Sequence, residues 1–208
     1  MADDRSQAPQ ARTRLARRAV LDAARTLFLE RGYGATTIEG ISVASEIPQA
    51  TVYRLFSSKK GILKAILDTS VAGDDEPVPV AERSHVRSLL DATRPEDSLA
   101  RLAALSVDIN TRTAPIYRIL VSPASAETDA AAILDELTRQ RQEGQGRVAA
   151  ALARAKALRP GLRARDAGDV IHALASPELY HLLVIDREWS PGRYQRWLAE
   201  ALAGQLLP

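Results

Sequence analysis

The spacing of apolar residues predicts helices along nearly the whole chain. Apolar positions recur three and four residues apart, the period of one buried face of an α-helix, and no β-branched run alternates as a strand would. Prolines and acidic residues after residue 72 mark a break between domains. The pattern therefore predicts an all-α protein with a disordered tail at residues 1–12, a first domain at 13–72 and a larger helical domain at 73–208.

The first domain is predicted to hold a helix over residues 13–31 and then two short helices joined by a tight turn. Thr36 and Glu39 have the spacing of a capping box, so the first short helix is expected to begin there. Pro48 ends that helix and starts the next one. In the second short helix Val52 and Phe56 share the buried face. The face left outside carries Gln49, Ala50, Tyr53 and Arg54.

This outer face suits a DNA major groove, because its side chains are small or form hydrogen bonds. Gln49 can pair with adenine edges, Arg54 can pair with guanine, and the hydroxyl of Tyr53 can reach a phosphate. Lys59 follows at the start of the next helix, where a cation gains nothing from the helix dipole. We therefore expect Lys59 to reach an external anion.

Residues 20–68 resemble the DNA-binding domain of the TetR (tetracycline repressor) family of one-component regulators. The shared features are A-x-x-L-F-x-x-x-G-Y, T-T-I, T-V-Y-x-x-F and S-K-K-x-I-L, in that order and spacing. Glu46, Pro48 and Leu55 depart from the family pattern, which bears on base preference. The resemblance implies a helix-turn-helix domain in which Thr37, Gln49, Thr51, Tyr53 and Lys59 fall where the family contacts DNA. Together with the exposed side chains of the two short helices, the residues expected to contact DNA are Thr36, Thr37, Gln49, Ala50, Thr51, Tyr53, Arg54 and Lys59.

In the second domain, Pro95 is predicted to open one helix and Pro115 to begin a separate short one. A helix over residues 164–188 should be kinked at Pro177, and a last helix should start with Ser190 as its cap. Both of these C-terminal helices look too apolar for one core, and the resemblance also places a dimer interface here. The residues predicted for that interface are Leu179, Leu183, Tyr194, Trp197, Leu198 and Leu202.

A long helix predicted over residues 127–158 carries polar residues on its apolar stripe. Buried polar groups need partners, so these side chains either face water or line a cavity that a ligand enters. The residues that would line such an effector pocket are Ser106, Tyr117, Gln140, Arg141, Gly144 and His172.

The charge distribution agrees with a nucleic-acid partner for the first domain. The net charge is only +2, but residues 1–72 hold 11 Lys and Arg against 7 Asp and Glu. An excess of this size is also common in small domains that bind no nucleic acid, so it adds little by itself.

Other classes of function find little support in the sequence. The chain has no cysteine, no apolar run of the roughly 20 residues that span a bilayer, and no nucleophile, metal or phosphate-loop motif. We therefore expect a cytoplasmic protein that is not an enzyme and has no metal or cofactor.

The favoured hypothesis is a homodimeric transcriptional regulator, a repressor that binds a palindromic DNA operator and leaves it when a small-molecule effector binds. The alternative is a helical small-molecule-binding or enzymatic protein with a vestigial DNA-binding head.

Overall fold

A computed structural model describes residues 4–73, 94–121 and 128–208, which form helices joined by short turns and contain no strand in these ranges. The helices are α1 Asp4–Ala35, α2 Ile38–Ser45, α3 Gln49–Phe56, α4 Lys59–Ala72, α5 Pro95–Val121, α6 Thr128–Arg154, α7 Ala164–Leu174, α8 Pro177–Tyr180 and α9 Pro191–Leu206, with a π-helical turn at His181–Asp186 after α8. The predicted all-α class is confirmed.

The chain divides into two compact units. The first consists of Met1–Thr69 and Pro115–Ile133, and the second of Ser70–Ala114 and Leu134–Pro208. The change of unit at residue 70 lies close to the predicted boundary, whereas 115–133 fall in the first unit. The division of function between the two parts stays a prediction.

Each unit has its own buried apolar side chains. In the first unit these include Val20, Ala24, Phe28, Ile41, Val52, Ile62 and Leu63. In the second, α5, α6, α7 and α9 share one core that includes Leu99, Leu102, Val148, Leu152, Ile171, Tyr194, Leu198 and Leu202. Amphipathic helices are stable in this way because each hides its apolar stripe against the others.

Helix α1 starts earlier than the sequence pattern predicts. It begins at Asp4 and not at Thr13, so residues 4–12 are helical and not a disordered tail. Alanine, glutamine and arginine are strong helix formers, and a helix already nucleated by packing extends at little cost. At the other end, Gly32 has φ 81° and ψ 162°, which interrupts the helical geometry next to the predicted end at Arg31.

Two prolines act differently from the prediction. Pro115 does not start a separate helix, because α5 runs through it without a break. The buried side chains of Ala114 and Ile116 flank it, and their burial outweighs the missing hydrogen bond. Pro177, in contrast, separates two helices and does not kink one: Ser176 caps α8 by accepting a hydrogen bond from the Leu179 N–H at 3.1 Å.

The start of the last helix agrees with the prediction. Ser190 is the N-cap of α9, its hydroxyl accepts a hydrogen bond from the Arg193 N–H at 3.2 Å, and Pro191 occupies the first turn. None of the helices described has the length and apolar character needed to cross a membrane.

Candidate nucleic-acid interface

The start of α2 is built from two adjacent threonines with different roles. Thr37 is the N-cap, and its hydroxyl accepts a hydrogen bond from the Gly40 N–H at 3.0 Å. Thr36 is only 3% exposed, and its hydroxyl is within hydrogen-bond distance of the carbonyls of Gly32 (2.8 Å) and Leu27 (3.3 Å). The capping box predicted from Thr36 and Glu39 is therefore wrong, because the N-cap is Thr37. The hydroxyl of Thr36 is bound to carbonyl groups at the end of α1, and the side chain is almost completely buried.

The turn between α2 and α3 is fixed by hydrogen bonds at both of its ends. Glu46 adopts a left-handed conformation with φ 56° and closes α2. The Ser42 hydroxyl donates to the Ile47 carbonyl at 2.6 Å, and the Ile47 N–H donates to the Ser42 carbonyl at 3.2 Å. This arrangement sets the direction in which α3 leaves the turn.

Helix α3 has one buried and one exposed face, as predicted. Val52 is completely buried and Phe56 nearly so, and the guanidinium of Arg17 lies 4.7 Å from the centre of the Phe56 ring. This contact adds a cation–π attraction behind the helix. On the outer side Tyr53 is 50% exposed. Gln49, Ala50 and Arg54 are also exposed, and Thr51 is half-buried.

Lys59 contacts carbonyl groups of the protein itself, at the position where the sequence analysis expects a contact with an external anion. Its ammonium group donates to the carbonyl of Tyr33 at 2.9 Å and lies 3.4 Å from that of Gly34. It also sits 4.3 Å from the centre of the Tyr33 ring. The carbonyls at the end of α1 carry partial negative charge, so they attract the cation that the start of α4 does not stabilise.

Further positive charge lies on α1 in the same unit. Arg12, Arg14 and Arg18 are exposed. Arg18 forms a loose surface ion pair with Asp22 at 3.8 Å, which contributes little energy. These arginines can contact DNA phosphates, and such contacts do not depend on the base sequence.

Two of the six predicted effector residues contact each other. Arg141 and His172 are brought together, with Arg141 Nη2 3.0 Å from His172 Nε2. Gln145, which the sequence interpretation missed, lies 2.8 Å from His172 Nδ1 through its side-chain oxygen. It is one helical turn from Arg141, so helical spacing could have identified it.

The other predicted pocket residues do not join this group. Gln140 is exposed and donates to Glu136 at 2.6 Å on its own helix. Ser106 and Gly144 are half-buried in the second unit, and Tyr117 belongs to the first unit.

An open cleft of about 370 Å³ lies beside His172. Burial and the neighbouring Arg141 charge lower the pKa of His172. The cleft is lined by Gln142, Gly146, Ala164, Arg165, Gly168, Asp169 and His172.

The predicted dimer residues fall into two groups. Tyr194, Leu198 and Leu202 have no exposed surface, so they are core residues of a single chain and the prediction is wrong for them. Leu179, Leu183 and Trp197 are half-buried. Two apolar side chains outside the predicted set are more exposed and lie on the π-helical turn, where Leu182 is 48% and Ile185 is 46% exposed.

Comparison with known proteins identifies the N-terminal domain. Residues 20–66 match the family described as "Bacterial regulatory proteins, tetR family". The HTH-type transcriptional repressor Rv3405c of Mycobacterium tuberculosis is 35% identical over 89 residues, which cover 40% of this chain and 47% of that repressor. The chain thus spans about half the length of this curated relative.

Solved structures share the fold over more than nine-tenths of the chain. The SmeT–triclosan complex has a TM-score of 0.72 at 20% identity and covers 93% of this chain and 92% of that one. NalD of Pseudomonas aeruginosa, the secondary repressor of the MexAB-OprM multidrug efflux pump, has a TM-score of 0.68 at 23% identity over 92% and 95% of the two chains.

Fold and exposed face together define a helix-turn-helix domain of the DNA-binding class. Residues 20–66 form a DNA-binding domain of the tetR-family type, as their match to the bacterial regulatory proteins of that family shows.

Proposed function

We propose that this protein is a homodimeric repressor that binds a palindromic operator and is released by a small molecule. The observation that carries the proposal is the two-sided α3, which is anchored by Val52 and Phe56 and presents a hydrogen-bonding face outward. A helix held in this way keeps its base-reading side chains in fixed positions, which sequence discrimination requires.

The proposed DNA contacts divide into base-reading and phosphate-binding groups. Gln49 and Arg54 would pair with base edges, and Ala50 would give the helix close access to the groove. Thr37, Thr51 and Tyr53 would meet phosphates. Thr36 and Lys59 are not among the proposed DNA contacts, because both donate hydrogen bonds to carbonyl groups at the end of α1.

A dimer would present two copies of α3 to successive major grooves, about 34 to 36 Å apart. We propose that it forms through the apolar side chains that α8 and the π-helical turn leave uncovered, chiefly Leu182 and Ile185. Apolar patches of this kind on a soluble chain are commonly covered by a partner.

For the effector we propose a small molecule that binds in the second unit near Arg141, Gln145 and His172. SmeT, which has this fold, has been solved with triclosan. The polar group formed by the three residues would orient a mainly apolar ligand, as a few placed hydrogen-bonding groups do in most ligand sites.

DNA binding can be tested by fluorescence anisotropy with a labelled duplex from the promoter region next to the gene. We expect affinity that exceeds that for a scrambled duplex and falls steeply with salt. Tyr53→Phe should weaken binding to every sequence alike, whereas Gln49→Ala should relax discrimination at one base position. Equal affinity for promoter and scrambled duplexes would refute the proposal.

A further inference from the structure

An arginine of α5 binds the C-terminal end of α4. Arg112 Nε donates to the carbonyl of Ser70 at 2.7 Å, and Nη2 donates to that of Val71 at 3.2 Å. Its remaining nitrogen, Nη1, forms an ion pair with Asp108 one turn earlier on α5. The planar guanidinium thereby joins two carbonyls of one helix to a carboxylate of another, a geometry that lysine cannot reproduce.

The residue after α4 makes room for this contact. Gly73 has φ 86°, a left-handed conformation that commonly follows a helix and that glycine adopts without strain. A Cβ atom at this position would lie 3.3 Å from Cζ of Arg112. The arginine charge also lies at the negative end of the α4 dipole, which strengthens its hold.

The part of α5 that carries Arg112 is itself tied to the C-terminal core. The hydroxyls of Thr111 and Tyr180 are 2.8 Å apart. Tyr180 packs edge-on against Tyr194 with ring centres 5.3 Å apart, and the Tyr194 hydroxyl donates to the carbonyl of Leu174 at 3.1 Å. The contacts of Thr111, Tyr180 and Tyr194 therefore hold the segment of α5 that carries Arg112 in place.

We propose that Arg112 is a positioning residue for DNA binding, because it fixes the end of the helix that follows the recognition helix. Helix α4 begins at Lys59 in the first unit and ends at Ala72 in the second. Two DNA-binding heads can occupy both half-sites of a palindrome without loss of affinity only when their spacing is set beforehand. This inference rests on the proposed function as a DNA-binding dimer.

The test compares full-length wild type with Arg112→Gln on two duplexes, one with the complete palindrome and one with a single half-site. Loss of the Arg112 contacts should weaken binding to the palindrome about tenfold, which lies within the usual range for coupling between sites. Half-site binding should stay within twofold, since one head needs no fixed partner. Arg118→Gln removes the same charge from an exposed position of α5 and should leave both affinities unchanged.

A second variant leaves the arginine in place. Gly73→Ala puts a methyl group against the guanidinium and strains the backbone, so it should weaken palindrome binding in the same selective way. Hydrogen exchange followed by mass spectrometry should show faster exchange in the last turn of α4 for both variants. Circular dichroism identifies any variant that fails to fold, and the remaining variant then decides the question.

The proposal is overturned if a folded Arg112→Gln or Gly73→Ala protein binds the palindrome within twofold of wild type. It is also overturned if half-site binding falls by the same factor, because the arginine would then support the head itself and not its placement. If wild type fails to distinguish the palindrome from a scrambled duplex, the proposed function has failed instead.

Discussion

Glu46 closes α2 in a left-handed backbone conformation, with φ 56°. Side chains with a Cβ atom are strained there, whereas glycine is not. We predict that Glu46→Gly raises the free energy of unfolding by about 0.5 to 1 kcal/mol, measured by urea denaturation. Glu46→Ala removes the same carboxylate but keeps the Cβ atom, so it should give no gain. Equal stability of the two variants would show that charge and not backbone strain is the relevant feature.

His172 is held as a neutral ring by its two partners. The Arg141 guanidinium can only donate, so Nε2 must accept, and Nδ1 then carries the hydrogen that faces the Gln145 oxygen. Burial and Arg141 lower the pKa of His172 below its ordinary value of 6.5. The unfolded chain therefore takes up the proton first as the pH falls.

It follows that stability should decrease as the pH drops below about 6.5 and should not change through this group at higher pH. Thermal unfolding at pH 7.5 and pH 5.5 measures the effect. His172→Gln should show a smaller difference between the two conditions than wild type does. An equal difference in both proteins would assign the pH dependence to other groups.

At the level of helices, local signals were sufficient where a residue acts on its own neighbours. Ser190 caps α9, and Val52 and Phe56 form the buried face of α3, both as the sequence pattern predicts. Local sequence does not decide whether Thr36 or Thr37 is the N-cap of α2, since either threonine can cap a helix. Only the fold shows that the end of α1 takes the hydroxyl of Thr36.

Proline shows the same distinction between local and tertiary effects. Pro115 remains inside α5, where it cannot donate a hydrogen bond to the carbonyl of Thr111. We predict that Pro115→Ala stabilises the protein by about 1 to 3 kcal/mol in denaturant titrations. Pro191→Ala is the matched control, because the first turn of a helix has no partner for that N–H and no gain is expected. A similar gain for both would contradict the account.

For the whole molecule, the burial of α9 could not be derived from its apolar stripe. The stripe through Tyr194, Leu198 and Leu202 fits a chain core and a dimer interface equally well, and the packing of α5, α6 and α7 decides for the core. The surface that we propose for a partner is instead the π-helical turn, where Leu182 and Ile185 stay exposed. Such turns carry one extra residue, which shifts the side chains that follow out of the helical stripe.

If Leu182 and Ile185 form the dimer interface, charged side chains at these two positions should prevent the dimer from forming. Wild type should be a dimer at micromolar concentration by size-exclusion chromatography with light scattering. Leu182→Glu combined with Ile185→Glu should yield monomers, because two carboxylates from each chain would have to lose water to be buried in the interface. The first-unit residue Leu29 is 47% exposed, so Leu29→Glu makes a comparable change away from this surface and should remain dimeric.

The monomeric variant also separates assembly from DNA recognition. Its half-site affinity should match wild type, whereas its affinity for the palindrome should fall toward the half-site value, because the second head no longer binds at a high effective concentration. A double variant that stays dimeric would place the interface elsewhere. A monomer that keeps the full palindrome affinity would show that the two half-sites are bound independently.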